Sequence, residues 1–188
     1  MEAVQQQDRK AVNNALARLG QALTGGTLLA ISCLISYWIV TNILSREYSV
    51  SRDNVLLGGM WAAIATIFVF RQTYDQSARA ALSRTLATLL SFILCLGYFL
   101  VLPFHVLGMV VVIGLGSIIL TLARRTEDII TTGITTTVVF VVAGISPEHA
   151  WTQPILRLAD TAVGISVGLA MSRVSLAIGF IPASRREA

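Results

Sequence analysis

The chain has 188 residues, 55% of them hydrophobic and 13% charged, with a net charge of +4. A soluble domain carries roughly 25% charged residues, so about half the usual supply is missing, and disorder, collagen, coiled coil and nucleic-acid binding are all disfavoured. Length alone points to one domain, and composition makes it a membrane domain.

Residues 1–22 form a polar leader. Val12, Ala15, Leu16 and Leu19 fall at i, i+3, i+4 and i+7, flanked by Arg9, Lys10 and Arg18. That spacing predicts an amphipathic helix, either a solvated cap on the first span or a helix lying on the membrane surface. The leader is too long for a signal-peptide h-region and lacks a cleavage site. Crossing the hydrocarbon core takes ~20 apolar residues, and six segments approach that standard: about 23–44, 55–70, 82–102, 106–123, 129–146 and 155–181. The second is short. The sixth, at 1.5 Å per residue, is ~40 Å long, so it must tilt, break or leave the bilayer. Connections are tight, with residues 103–105 barely a turn, and residues 182–188 are read as a cytoplasmic tail. The expected fold is all-α, with six transmembrane helices and both termini cytoplasmic. With the N-terminus inside, eleven cations fall on the inner side and only Arg46, Arg52 and Arg157 on the outer, the bias of the positive-inside rule.

Charges inside spans are costly and by default mark function. Span three holds Arg84, and span six holds Arg157, Asp160 and Arg173. Arg84 lies two residues into its span, within reach of the headgroups by snorkelling. Arg157 and Asp160 stand at i, i+3 and can pair on one helix face. The depth of Arg173 depends on which part of the long sixth segment crosses. A repeat ties the set together: Arg84-Thr85-Leu86-Ala87-Thr88-Leu89-Leu90-Ser91 and Arg157-Leu158-Ala159-Asp160-Thr161-Ala162-Val163-Gly164 both fit R-x-x-[A/D]-T-x-x-[S/G]. Three spans per repeat invert the second copy, an arrangement that builds many secondary transporters.

Gly164, Gly168 and Ser172 recur every four residues along span six, a helix-packing face, and Gly26 and Ala30 do likewise in span one. In span five Thr131, Thr132, Thr135, Thr136 and Thr137 surround Gly133; they read either as ordinary packing with hydroxyls on backbone carbonyls or as the lining of a wet pathway.

Trp61-Ala62-Ala63-Ile64 in span two, the stretch 77–88 with its Arg-x-x-small-Thr, and Arg157-x-x-Asp160-Thr161-x-x-Gly164 resemble the fusaric acid resistance protein-like family, over roughly residues 10–181. That family includes bacterial aromatic acid exporters. The resemblance implies a six-span inner-membrane module that moves organic anions out of a bacterial cytoplasm, with no cofactor. Many members carry two such modules, or one with a large cytoplasmic domain, so it also implies a homodimer or a partnership with a second membrane module. Ala87 and Ser91 stand where the family usually has Gly, an expected loosening around span three.

The expected function is therefore a secondary, proton-coupled efflux permease for small organic anions, aromatic carboxylates among them. Arg84 and Arg157 would pair with the carboxylate, since a guanidinium fork matches two oxygens. Asp160 is the candidate proton carrier, Thr88, Thr161, Thr132, Thr135 and Thr136 supply neutral hydrogen bonds, and Trp61 offers a flat apolar wall. Arg173 joins the translocation set. The alternatives are an anion channel and a non-transporting accessory subunit. Enzymatic readings are disfavoured: His105 and His149 fall in outer loops, which removes the base an intramembrane Ser protease needs. Cys33 and Cys95 are isolated, and Glu148-His149 lacks the second His of a zinc motif, so no metal site is expected.

Overall fold

The computed structural model describes residues 2–44, 52–145 and 150–180. Six helices account for nearly all of them: α1 (Glu2–Ile39), α2 (Arg52–Val69), α3 (Tyr74–Val101), α4 (Val106–Leu122), α5 (Ile129–Ile145) and α6 (Thr152–Ala177). Among the described residues there is no strand. Four stretches meet the length and apolarity of a membrane span, namely Asn13–Ile43, Tyr74–Val101, Thr126–Ile145 and Thr152–Ala177, and α4 is a shorter apolar helix. α2 begins with Arg52, Asp53 and Asn54, which dilute an otherwise apolar helix. The surface is correspondingly oily, with Val101, Leu122 and Ile145 all exposed. In water such a surface would be an aggregation hazard; against lipid it is matched. Trp38 and Trp151 are exposed as well, as amphipathic rings at a membrane interface are.

The helix ends sharpen the expected spans. The leader and first span form one unbroken helix that ends in a π-helical turn, Val40–Leu44, which fits the reading of the leader as a cap on the first span. α3 starts at Tyr74, eight residues before the expected edge, because Thr73 caps it by accepting a hydrogen bond from the Gln76 amide at 3.2 Å. α6 stays unbroken for 26 residues, with Pro154 in its first turn, where a missing N–H costs nothing. The chain reverses after α4 by a left-handed residue, Arg124 (φ 56°), with the Arg125 amide donating to Leu120 at 2.8 Å. His105 caps α4, its Nδ1 accepting from the Leu107 amide. Residues 148 and 149, the tail 182–188 and Arg46 lie outside the described residues.

α6 is the central helix: it packs most extensively on α2, then on α3 and α1, while α3 also packs on α5 and α4. Small residues set the α2–α6 distance. A Cβ on Gly164 would collide with the Ala62 carbonyl oxygen and sit 2.6 Å from the Ala65 Cβ, and one on Gly168 would sit 3.0 Å from Val69. Thr66 exploits that closeness, its hydroxyl lying 3.0 Å from the Ala62 carbonyl and 3.1 Å from that of Gly164 across the interface. Without a hydrophobic drive between helices in lipid, this approach and its hydrogen bonds are the cohesion. Gly164→Leu is therefore expected to prevent accumulation of folded protein, whereas Gly133→Ala, where a Cβ meets nothing within 4 Å, leaves yield and melting temperature within the range of the parent. Size-exclusion profiles in detergent check both.

The described buried face of α1 is Ser32 and Ser36, continued by Val40 of the π turn. Gly26 has nothing within 4 Å of its Cβ direction and Ala30 is exposed, so among the described residues this pair has no packing partner. The core at the other side joins Cys95, Val112, Val139 and Phe140, with Tyr98, Phe99 and Phe104 around them.

Candidate functional site

α6 places Arg157, Asp160, Thr161, Gly164, Gly168 and Ser172 at spacings of three and four, and all six are buried on the face towards α2 and α3. α3 does the same with Ser77, Ala81, Arg84, Ala87, Thr88 and Ser91. The eight registered positions of the two R-x-x-[A/D]-T-x-x-[S/G] copies are thus all interior. Ala87 and Ser91 do not loosen α3: both are fully buried, and the Ser91 hydroxyl donates to the Thr132 carbonyl of α5 at 3.1 Å.

Arg157 is 1% exposed, and its Nη1 lies 3.2 Å from Oδ2 of Asp160. The pair is an ion pair without a completed hydrogen bond at either atom. Room for the carboxylate comes from Gly58 of α2, where a Cβ would stand 2.9 Å from Oδ1 and 3.1 Å from Val40 of the π turn. One residue along, the Thr161 hydroxyl accepts a hydrogen bond from the Trp61 indole nitrogen at 3.0 Å. The Trp61 ring carries the chain of contacts on to α3, because the Arg84 guanidinium sits over it, 5.3 Å from the ring centroid, and 4.8 Å from that of Phe68. Arg84, Trp61, Thr161, Asp160 and Arg157 therefore form one continuous interior set drawn from three helices.

Arg84 is its anomaly. It is 2% exposed, and none of its three guanidinium nitrogens has a hydrogen-bond partner. Two aromatic faces contribute ~0.5–2 kcal/mol each, while desolvating a cation costs several kcal/mol. The balance is unfavourable unless something anionic arrives. Snorkelling is not how this residue copes, since α3 continues for ten residues before it, back to Tyr74. Arg84 instead lines a cavity of about 630 Å³ with Arg71, Arg79, Arg125, Glu127 and Phe68 among its walls. The connections after α2 and after α4 meet at this end.

Asp128, Arg125 and Ser83 are the polar residues that a scan of charges within spans passes over. Asp128 is fully buried and accepts from the Ser83 hydroxyl and, at 2.6 Å, from Nε of Arg125. It ties the foot of α5 to α3 and aims Arg125 at the cavity. The signal was present as an acid opening a helix in Thr126-Glu127-Asp128, but its burial was not legible.

Other expected residues sit elsewhere. Arg173 is exposed, its Nε donating to the Tyr74 hydroxyl at 2.7 Å and its guanidinium 5.1 Å from that ring; it is a surface residue at the foot of α3, apart from the interior set. Ser172 bonds the Ser77 hydroxyl at 3.0 Å and packs as expected. Two threonines of α5 have their hydroxyls engaged: Thr135 donates to the Thr131 carbonyl at 2.9 Å, and Thr136 to the Ser91 hydroxyl at 3.3 Å. Thr88 and Thr132 are buried with hydroxyls that find no partner. Of the threonine group, Thr131 alone joins the described cavity wall.

A family model described as fusaric acid resistance protein-like matches residues 39–171, more than two thirds of the chain. The chain belongs to that family. No curated protein and no solved structure matches it. Membership in the fusaric acid resistance protein-like family implies a membrane transporter of the efflux type. The match is narrower than the resemblance read from the residues: it includes Trp61, Arg84, Thr88, Arg157, Asp160 and Thr161, and leaves out most of α1 together with Ser172 and Arg173.

Trp61 gives a direct check on how the interior set is wired. Trp61→Phe keeps an aromatic face for Arg84 and removes the donor to Thr161. Its expected cost is that of one neutral hydrogen bond, about 1 kcal/mol, read as a small drop in melting temperature. Trp61→Leu removes both and is expected to cost at least twice as much.

Proposed function

We propose that this chain is a proton-coupled secondary permease that exports small organic anions, aromatic carboxylates among them, from a bacterial cytoplasm. The single observation that carries the reading is Arg84: a buried, hydrogen-bond-deficient guanidinium at an arginine-lined cavity. A carboxylate is the ligand that such a fork pairs with in two parallel bonds, and an aromatic body would find Trp61 and Phe68 beside it. Arg71, Arg79 and Arg125 stand at the end that the positive-inside bias assigns to the cytoplasm. At the opposite end of the interior set, Arg157 is matched by Asp160. Protonation of Asp160 would release Arg157 to receive the anion on its way out, so that a proton moves in as an anion leaves.

Six spans in two inverted halves fit the packing. Exchanging α1 with α4, α2 with α5 and α3 with α6 maps each of the main helix contacts onto another. The pairs α1–α2 and α4–α5, α2–α6 and α5–α3, α1–α6 and α4–α3 correspond, and α3–α6 maps onto itself. In this arrangement the third helix of each half packs on the first two of the other, and both Arg residues lie near the shared interface, where transporters of this design place their sites. The open Gly26 and Ala30 stripe of α1 supports assembly with a second copy or a second membrane module. No step in this mechanism calls for a metal, a cofactor or a covalent intermediate.

The test is reconstitution of the purified chain into proteoliposomes, followed by benzoate flux with and without an imposed pH gradient. Uphill accumulation driven by the gradient, lost in Arg84→Gln, is the expected result. Flux that only runs downhill at high unitary rate makes it an anion channel, and no flux alone together with a stable membrane partner makes it an accessory subunit.

A further inference from the structure

The cavity at Arg84 has two kinds of wall. Arg71, Arg79, Arg84 and Arg125 stand against a single acid, Glu127, so the lining is strongly cationic. The same lining includes Leu82 of α3 and Ile130 of α5, which are 57% and 74% exposed. On helices that cross a membrane, large aliphatic side chains with that exposure face lipid chains rather than water. The other walls come from the end of α2, at Phe68 and Arg71. The cavity is thus walled by α3, by the end of α2 and by the start of α5, with exposed aliphatic side chains on its lip. Its volume of about 630 Å³ is that of a site for a sizeable organic ligand (about 300–1,000 Å³), well beyond what a bare inorganic ion fills. A tail-less anion delivered from water would use the arginines and leave Leu82 and Ile130 without a role.

Resting on the permease reading, we infer that this cavity opens sideways into the cytoplasmic leaflet and takes an amphiphilic anion from within the membrane. The anionic head seats on Arg84, with Arg71, Arg79 and Arg125 at the rim, and the apolar tail leaves between Leu82 and Ile130 into the bilayer. Basic pockets between helices on the cytoplasmic side hold anionic headgroups by the same physics. The head is supplied either by an anionic phospholipid or by a free single-chain amphiphile dissolved in the leaflet; the chemistry recognised is the same.

The experiment uses the full chain in nanodiscs of zwitterionic phosphatidylcholine, titrated with acetate, butanoate, hexanoate, octanoate and decanoate at measured free concentrations, with tryptophan fluorescence as the readout. Affinity is expected to rise with tail length, by about threefold to fourfold per added methylene while the tail is in contact, and Leu82→Gln with Ile130→Gln is expected to flatten that slope. Arg84→Gln is expected to abolish binding of the whole series. Adding phosphatidylglycerol to the nanodisc separates the two sources: competition with decanoate assigns the head to a phospholipid, and undiminished decanoate binding assigns it to a free amphiphile, each in keeping with the proposal. Decanoate binding no tighter than acetate, or a slope that survives both Gln substitutions, overturns lateral access while leaving an Arg84-dependent permease in place. Binding and flux that both persist in Arg84→Gln overturn the permease reading itself.

Discussion

Arg84→Gln is expected to raise the melting temperature of the purified protein and to abolish its anion transport. The two effects have one cause. The guanidinium is buried with no hydrogen bond to any of its nitrogens, so the folded protein carries an uncompensated desolvation cost that a neutral amide of similar length largely removes. In the proposed mechanism the bound anion supplies the missing partner, and deleting one side of a desolvated charge pair costs about 2–5 kcal/mol, which is roughly a thirtyfold or greater loss of transport at limiting substrate. Arg84→Lys keeps the charge and loses the fork, so it is expected to be impaired in transport without the gain in stability. Differential scanning fluorimetry in detergent and flux in proteoliposomes read the two properties on one preparation. Undiminished transport in the Gln variant would remove Arg84 from the mechanism. Added anion gives a further check, because a ligand at one hundred times its Kd stabilises by about 2.7 kcal/mol, and that shift should appear in the parent and vanish in Arg84→Gln.

The Arg157–Asp160 pair is expected to behave in the opposite way. Each partner is nearly inaccessible and each has the other within 3.2 Å, so removing one leaves a buried charge alone. Arg157→Ala and Asp160→Asn are each expected to lose about 3–5 kcal/mol of stability, visible as a large fall in melting temperature or in yield. Arg157→Met combined with Asp160→Asn removes both charges together and is expected to melt well above either single variant, while failing to transport. A double-mutant cycle isolates the coupling. If the double variant transported at the parental rate, Asp160 would not be the proton carrier. If the single variants were as stable as the parent, the pair would be solvated rather than buried.

Substitutions at Arg84 and at Arg157 thus separate two uses of the same residue type. The repeat puts Ala87 where its second copy has Asp160, so Arg157 faces an acid on its own helix and Arg84 does not. In the proposed mechanism that asymmetry lets the two sides of the interior set rest in different states.

Much of the fold was legible before any coordinates. Apolar runs placed α4 and the start of α5 to within a residue, since the short connections before and after α4 leave no room to extend. The start of α3 is not legible in hydropathy because residues 74–81 are polar and helical at once: hydropathy registers only the polarity, while the Thr73 cap and Gln76 settle the helix. The leader stays open between two readings in the sequence, as an amphipathic stripe does not tell whether a helix stops at the membrane surface or runs straight on; the unbroken helix fits the cap on the first span. The interior face of α6 was readable from its three- and four-residue spacing. Asp128 was not, because a carboxylate in a connection reads as solvated until its neighbours are known, and those are Ser83, 45 residues away, and Arg125.

The sequence by itself determined that this chain belongs in a membrane, which charges lie among its apolar residues, and which end gathers the arginines. Those follow from hydropathy and charge, properties that each residue carries wherever the chain goes. That Arg157 has an acid one turn away and Arg84 has Ala87 instead was also written in one dimension. Tertiary structure alone decided that, among the described residues, no other helix supplies the acid Arg84 lacks. It alone placed Trp61 between Arg84 and Thr161, a residue 100 positions on, and set Leu82 and Ile130 at the lip of the same cavity. The compensation of a buried charge depends on every element that packs around it, and in a bundle held by contacts between distant helices, those neighbours are fixed only when the helices meet.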